Sequence, residues 1–211
     1  MSKIPVTLVT WDDVVNWTSE LAEVIKEDGY KVDVIVAVAR GGMVPARLLA
    51  DSLGILDVLS IKVEHWVETA AKNPEARVKY PYSVDLRNKS VLVVDDICDT
   101  GDSLLMATEH VRKNFGAEHV KTATMQYIET VSKYRPDYFS RTVREWSWFM
   151  YPWNYWEDEI NLIRKLMNGR KLSDETKDLM NLEVEFRESY GISPPIPLNR
   201  IVKEMLRRGL A

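Results

Sequence analysis

The stretch that decides the fold is Val91-Leu92-Val93-Val94-Asp95-Asp96-Ile97-Cys98-Asp99-Thr100-Gly101-Asp102-Ser103. Its first four residues are apolar, and three of them are β-branched, which predicts a short buried strand of a parallel sheet. Two carboxylates follow where that strand is expected to end, and a small polar turn comes next. From Leu104 to Phe115, apolar residues recur at helical spacing. This order of strand, acidic edge, polar loop and helix predicts an α/β domain with a ligand crevice at the carboxyl end of the strand.

The side chains of this stretch suit a sugar phosphate. Asp95 and Asp96 can accept hydrogen bonds from a vicinal diol, either directly or through hydrated Mg2+. Thr100 and Ser103 offer hydroxyls to a phosphate, and the amides of their loop lie at the predicted start of a helix, where anions bind. Gly101 allows the backbone to approach the ligand closely. We therefore expect a sugar phosphate with free hydroxyls at this site.

Other motifs that bind metals or phosphates fit less well. A Ca2+ loop needs alternating oxygen ligands, a central glycine and a distal glutamate, which Asp95-Asp96-x-x-Asp99 does not provide. The chain contains neither Gly-x4-Gly-Lys-Ser/Thr nor Gly-x-Gly-x-x-Gly. The whole run from Val91 to Ser103 instead resembles the phosphoribosyl pyrophosphate (PRPP) signature of the type I phosphoribosyltransferases.

The resemblance implies a role for each residue of the run. Asp95 and Asp96 are expected to bind the ribose hydroxyls and Mg2+, either directly or through water. Asp99 is expected to be the catalytic residue that accepts or holds the proton at N7 of a purine. The 5′-phosphate loop is expected to comprise Asp99, Thr100, Gly101, Asp102 and Ser103. Asp102 stands where the family commonly has glycine or a basic residue, and its carboxylate near a phosphate would be unfavourable unless it pointed outwards or capped the helix. We expect it to cap the helix.

A second strand-loop-helix unit precedes the first. Val32 to Ala39 predicts a buried strand, and Arg40-Gly41-Gly42 follows it with a cation beside flexible backbone, which suits a second anion. Alone, this would equally suit an ordinary turn. Beside the PRPP signature, Ala39, Arg40, Gly41 and Gly42 resemble the family's pyrophosphate loop, which implies a cis peptide bond between Ala39 and Arg40.

The segment for the purine base is expected after the strand Val120 to Ile128. The pattern Trp148-Phe149-Met150-Tyr151-Pro152-Trp153 resembles the Trp-x-x-x-Pro-Trp region of bacterial and archaeal purine phosphoribosyltransferases. That resemblance implies that Trp148 stacks on the base and that backbone near Phe149 contacts its edge. Ile128 or Glu129 occupies the place where enzymes for 6-oxopurines usually carry a lysine that binds O6.

The missing lysine favours adenine, whose N6 amino group needs an acceptor rather than a donor. Lys133 lies further along and would replace the lysine only in a rearranged loop. Against adenine, Asp99 and the Trp-Pro region are typical of the 6-oxopurine enzymes. We therefore predict a purine phosphoribosyltransferase that makes a nucleoside 5′-monophosphate and pyrophosphate, with adenine favoured and hypoxanthine, guanine or xanthine as the alternative. A non-catalytic PRPP sensor is an alternative of another class.

Composition limits the remaining choices. The chain has 211 residues, is 45% hydrophobic and carries a formal net charge of −4, which argues against nucleic-acid or anionic-membrane partners. One cysteine, Cys98, excludes an intrachain disulfide. No membrane segment or leader is predicted, so we expect a cytoplasmic protein. We predict a phosphoribosyltransferase core over residues 1–158, with a base-binding hood at about 128–158, and a helical extension over 159–211. By resemblance, we expect a homodimer.

A long connection from Glu64 to Asp85 shows little regular pattern. By position it resembles the flexible loop that closes over PRPP in the family. Lys72, Arg77 and Lys79 lie in it, and His65 and Trp66 are candidates for closing the site.

Overall fold

A computed structural model describes residues 4–66, 75–170 and 176–210 of the chain. The chain forms two compact units, one of Asp12–Glu145 and the other of Met1–Trp11 with Trp146–Ala211. The boundaries between these units lie after residues 11 and 145. The predicted domain boundary was after residue 158, which lies inside the helix Tyr155–Met167. Each unit is described by itself.

In its described residues, the larger unit contains a six-stranded sheet and three helices. Its strands are β2 Val34–Ala39, β3 Asp57–Trp66, β4 Glu75–Val78, β5 Ser90–Cys98, β6 His119–Ile128 and β7 Tyr138–Val143. Its helices are α1 Trp11–Glu27, which starts at the boundary of the units, α2 Met43–Leu53 and α3 Asp102–Asn114.

The strand order in this sheet is β4-β3-β2-β5-β6-β7. All neighbouring strands are parallel except β4, which pairs antiparallel with β3. The order reverses between β2 and β5, because β2 leads outwards to β3 and β5 leads outwards to β6. In sheets of this kind, ligands bind at the carboxyl ends of the strands at such a switch point. The predicted mixed α/β fold, with a mostly parallel sheet flanked by helices, is confirmed.

Alternate residues of the central strands point to opposite faces of the sheet. On one face Val91 and Val93 pack in a core with Leu104 and Phe115 from α3 and its C-terminal end. On the other face, Leu92 and Val94 pack with residues of α1 and α2. Because both faces of β5 are covered, its apolar run is continuous rather than alternating.

Two details of the larger unit differ from the sequence prediction. Strand β5 does not end before the acidic pair but continues to Cys98, so Asp95 and Asp96 lie within the strand. Part of the connection from residue 64 to residue 85 is regular, because β3 extends to Trp66 and β4 covers Glu75–Val78. The antiparallel pairing of these two segments supports the ends of the connection.

The smaller unit joins both ends of the chain. It contains β1 Val6–Leu8 and β8 Trp148–Met150, which form a two-stranded parallel sheet, and the helices α4 Tyr155–Met167, α5 Thr176–Tyr190 and α6 Leu198–Arg207. The predicted helical extension is thus confirmed over its described residues.

A separate core holds this unit together. Met150 of β8 is buried with apolar residues of all three helices, among them Ile163, Phe186 and Ile201. The hydroxyl of Tyr155 also donates a 2.5 Å hydrogen bond to the carbonyl of Val9. The residues after 158 therefore pack with the N-terminal strand and the aromatic segment.

Candidate active site

The acidic pair lies buried at the carboxyl end of β5. Asp95 and Asp96 are each 8% exposed. The backbone N–H of Asp96 donates to Oδ1 of Asp95 (2.9 Å), and the N–H of Ile97 donates to Oδ1 of Asp96 (2.9 Å). Burial, followed by the charge of Asp96, raises the pKa of Asp95 well above its usual range. Hydroxyl donors or a cation from a ligand would relieve this unfavourable pairing.

The glycine loop after β2 lies directly against this pair. A Cβ atom at Gly41 would clash with the carboxylate of Asp96, and one at Gly42 would clash with the carbonyl oxygen of Val94. A side chain at Gly42 would therefore displace the backbone of β5, and one at Gly41 would displace the Asp96 carboxylate. The predicted cis peptide bond between Ala39 and Arg40 is present. The structure therefore brings the predicted pyrophosphate loop and the predicted ribose-binding acids together.

The predicted 5′-phosphate loop forms the N-terminus of α3. Gly101 has a φ of 89°, in the left-handed region that favours glycine, and it occupies the N-cap position. Backbone amides at the start of α3 add the positive end of the helix dipole, so the loop suits an anion.

The prediction that Asp102 caps the helix is wrong, because Gly101 occupies the N-cap position and Asp102 is the first residue of α3. The hydroxyl of Thr100 donates to Oδ2 of Asp102 (3.0 Å), and the N–H of Asp102 donates back to that hydroxyl oxygen (3.3 Å). The carboxylate thus engages the threonine hydroxyl that is expected to bind phosphate.

Asp99 lies at the rim of this loop. The residue is exposed, yet partial burial of its carboxyl group raises its pKa above the usual value. A raised pKa makes a carboxylate a better proton acceptor near neutral pH. Its position and pKa are compatible with the proton role that the family resemblance implies.

A turn that the sequence did not single out packs against the 5′-phosphate loop. The backbone N–H of Lys133 donates to the carbonyl of Thr100 (3.0 Å). Sγ of Cys98 lies 3.2 Å from Oγ of Ser132 and donates to the carbonyl of Tyr134 (3.3 Å). A Cβ at Gly101 would lie 2.6 Å from Cβ of Tyr134. In the sequence, the one signal for these contacts is Ser132, a small polar residue shortly after the end of β6.

Two residues at the end of β6, Ile128 and Glu129, were predicted to contact the base, and only Glu129 is exposed to solvent. The side chain of Ile128 is 1% exposed, and its carbonyl accepts the N–H groups of Val131 and Ser132. The side chain of Ile128 is therefore part of the core rather than a contact for a base. Glu129 is exposed, and its carboxylate lies 3.6 Å from Nε of the exposed Arg144.

The aromatic segment belongs to the smaller unit. Trp148 and Met150 point to the same face of β8, and Phe149 points to the other. Trp148 is 43% exposed and lines a cavity of about 400 Å3 with residues of α4, among them Asn161 and Arg164. Its predicted role in stacking on a base, like that of Phe149, stays a prediction.

The described ends of the long connection hold their charges in ion pairs. Glu64 binds Arg77 and Lys79, each at 2.9 Å. All these groups reach solvent, so the pairs stabilise the fold little. Lys72 and the side chains of His65 and Trp66 lie outside the described residues.

The comparison with known proteins decides the family. Residues 11–158 match the family model of the phosphoribosyl transferase domain. The chain belongs to this family. The match covers both predicted phosphate-binding loops and ends within α4, which leaves most of the helical extension outside it.

Individual relatives agree with this assignment. A xanthine-guanine phosphoribosyltransferase of Nitratidesulfovibrio vulgaris is 27% identical over 164 residues, covering 76% of this chain and 90% of the relative. A purine phosphoribosyltransferase from Pyrococcus horikoshii Ot3 is 34% identical, with a TM-score of 0.61 over 70% of this chain and 93% of that one. A hypothetical protein from Neisseria gonorrhoeae with bound ppGpp is 25% identical, with a TM-score of 0.63 over 73% and 92%.

Proposed function

We propose that the protein transfers the phosphoribosyl group of PRPP to a purine base, releasing pyrophosphate and forming a nucleoside 5′-monophosphate. The proposal is supported by the packing of two loops that suit anions around one acidic pair: Gly41 lies against Asp96, and α3 begins just beyond β5. A substrate with phosphates at both ends of a ribose matches this arrangement.

The chain's own groups then have distinct tasks. The amides of Thr100 to Ser103 hold the 5′-phosphate, and the acidic pair orients the ribose hydroxyls. Arg40 and the N–H of Gly41 hold the pyrophosphate as negative charge develops on it. Asp99 accepts the proton of the attacking base. Alignment of the two reactants and stabilisation of charge supply most of the rate acceleration.

The donor set at the acidic pair also suits Mg2+. Two carboxylates are too few to hold this ion alone, and among the described residues no cluster of three or more possible ligand side chains occurs. Asp95 and Asp96 would hold it, through water, together with oxygens of the substrate. When bound, Mg2+ would neutralise charge on the pyrophosphate.

A 6-oxopurine is the base that the relatives favour. Several relatives similar over most of this chain are named xanthine-guanine phosphoribosyltransferases, and this shifts the preference away from the adenine that the missing lysine suggested. In our proposal, hypoxanthine, guanine or xanthine is the acceptor.

Adenine remains the second candidate because of one structural observation. The end of β6 presents an exposed carboxylate, Glu129, where a cation for O6 would be expected, and Ile128 beside it is buried. A carboxylate suits the N6 amino group of adenine. Comparing Glu129→Gln with wild-type on adenine and guanine tests this point, because a carboxylate that binds N6 would make only the adenine reaction fall.

Sensing of PRPP without turnover is the remaining alternative. It rests on the helical extension, whose helices share a core with Val6 and Met150. Among the described residues, no helix is long and apolar enough to cross a membrane. The cytoplasmic location and the homodimer stay predictions. Release of pyrophosphate from PRPP on adding a purine base would establish the enzyme, and PRPP binding without release would establish the sensor.

A further inference from the structure

The turn after β6 holds a main-chain donor of the 5′-phosphate loop in place. The N–H of Lys133 donates to the carbonyl of Thr100 at 3.0 Å. The peptide between Thr100 and Gly101 is trans, so its N–H points opposite to its carbonyl. The Lys133 hydrogen bond therefore turns the N–H of Gly101 away from the turn. This is the orientation that an anion at the start of α3 requires.

The hydroxyl of Ser132 in turn fixes the amide of Lys133. Oγ of Ser132 donates to the carbonyl of Tyr134 (2.6 Å) and accepts from the N–H of the same residue (3.3 Å). These two bonds close a tight turn whose middle residue is Lys133. Sγ of Cys98, the last residue of β5, lies 3.2 Å from Ser132 Oγ and ties the turn to the strand that carries the acidic pair.

The thiol acts here as a buried structural contact. Cys98 is 1% exposed. Its Sγ donates to the carbonyl of Tyr134 at 3.3 Å. The turn is consequently attached to β5 and to the loop after it by three separate contacts.

We propose that Ser132 is a positioning residue for the 5′-phosphate: through the amide of Lys133, it aims the N–H of Gly101 at the phosphate of PRPP. The inference rests on the proposed function, since it assigns a task within the same site. Ser132 lies outside the PRPP signature, and its hydroxyl touches the protein rather than the substrate. Its removal therefore weakens binding of the 5′-phosphate and leaves the pyrophosphate end of the site intact.

The test separates the two phosphate subsites. Titration calorimetry of wild-type, Ser132→Ala and Ser132→Thr measures the affinity for GMP, which carries a 5′-phosphate, and for Mg-pyrophosphate, which does not. We expect Ser132→Ala to bind GMP roughly fivefold to tenfold more weakly, about the effect of one or two hydrogen bonds. Pyrophosphate affinity should stay within twofold, and Ser132→Thr should restore GMP affinity. In kinetics, KM for PRPP should rise with kcat nearly unchanged.

A matched control and a second variant keep the inference testable. Ser19 of α1 is exposed and its hydroxyl donates to the carbonyl of Val15, so Ser19→Ala should leave both affinities unchanged. Lys133→Pro removes the donor itself and should cause at least the loss seen in Ser132→Ala. This second variant decides the matter if Ser132→Ala does not fold.

Two results would overturn the role of Ser132. Equal losses of GMP and pyrophosphate affinity would show a general disturbance of the fold, and unchanged GMP affinity would show that the turn does not position the loop. A wild-type chain that binds neither PRPP nor GMP would instead overturn the proposed function.

Discussion

A buried carboxyl group in the smaller unit makes stability depend on pH. Glu159 of α4 is fully buried, and its Oε2 accepts the N–H of Ile196 at 3.0 Å. Its Oε1 has no hydrogen-bond partner among the described residues. Burial raises the pKa of this group to about 7, and the bond from Ile196 opposes that rise. Replacing it by glutamine keeps the shape and removes the titration.

The sign and size of the effect follow from this pKa. A carboxyl whose pKa is higher in the folded state binds its proton more tightly when folded, so folding is favoured at low pH. The contribution is fully present below the ordinary value of 4.5 and is lost as pH rises to about 7. A difference of this size corresponds to about 3 kcal/mol of unfolding free energy.

Urea unfolding at a series of pH values between 4.5 and 8 would measure this effect. We expect the free energy of unfolding of wild-type, relative to Glu159→Gln, to fall by about 3 kcal/mol across this range. Glu188→Gln is the control, because Glu188 lies exposed on α5 and should give the wild-type profile. Parallel profiles for wild-type and Glu159→Gln would refute the reasoning.

Three further predictions concern the active site. Asp99→Asn should lower kcat far more than it weakens PRPP binding, because it removes a proton acceptor; steady-state kinetics with unchanged kcat would exclude that role. Gly41→Ala should reduce kcat/KM by roughly a hundredfold, because the new Cβ displaces the carboxylate of Asp96; activity near wild-type would contradict the packing of the two loops. Asp102→Asn should lower KM for PRPP by about fivefold, since it removes one negative charge beside the phosphate and loosens the hold on the Thr100 hydroxyl. A higher KM would show that the carboxylate assists binding.

The local pattern around residues 91–103 was enough to predict the central strand, the loop and the helix. These elements follow from short-range rules, namely a run of apolar residues, a glycine at positive φ and helical spacing after it. The predicted end of β5 was several residues too early, because the pairing of β5 with β6 continues through the acidic pair to Cys98. Such pairing depends on a strand far away in the sequence, so the local pattern does not contain it.

The contacts that brace the site could not be predicted from the sequence. Ser132 and Lys133 act through backbone groups and one hydroxyl, and they contact Cys98 and Thr100, which lie far earlier in the chain. Ile128 was a candidate contact for the base, and its burial became visible only when β6 was placed between two other strands. Glu159 looked like an ordinary helix residue until α4 packed against the connector that contains Ile196.

The choice of base shows the same limit. No lysine stands at the end of β6, yet several relatives with similar sequences are named xanthine-guanine phosphoribosyltransferases. Recognition of a base depends on several backbone and side-chain groups that converge from distant segments. The absence of one lysine is therefore not enough to determine which base the protein uses.

The most direct test of the account is pyrophosphate release from PRPP and Mg2+, with hypoxanthine, guanine, xanthine and adenine supplied separately. We predict rapid release with at least one 6-oxopurine and slow release with adenine. Release with adenine alone would contradict the proposed choice of base and support Glu129 as its partner. Tight binding of PRPP with no release on any base would contradict the central claim that this protein is an enzyme.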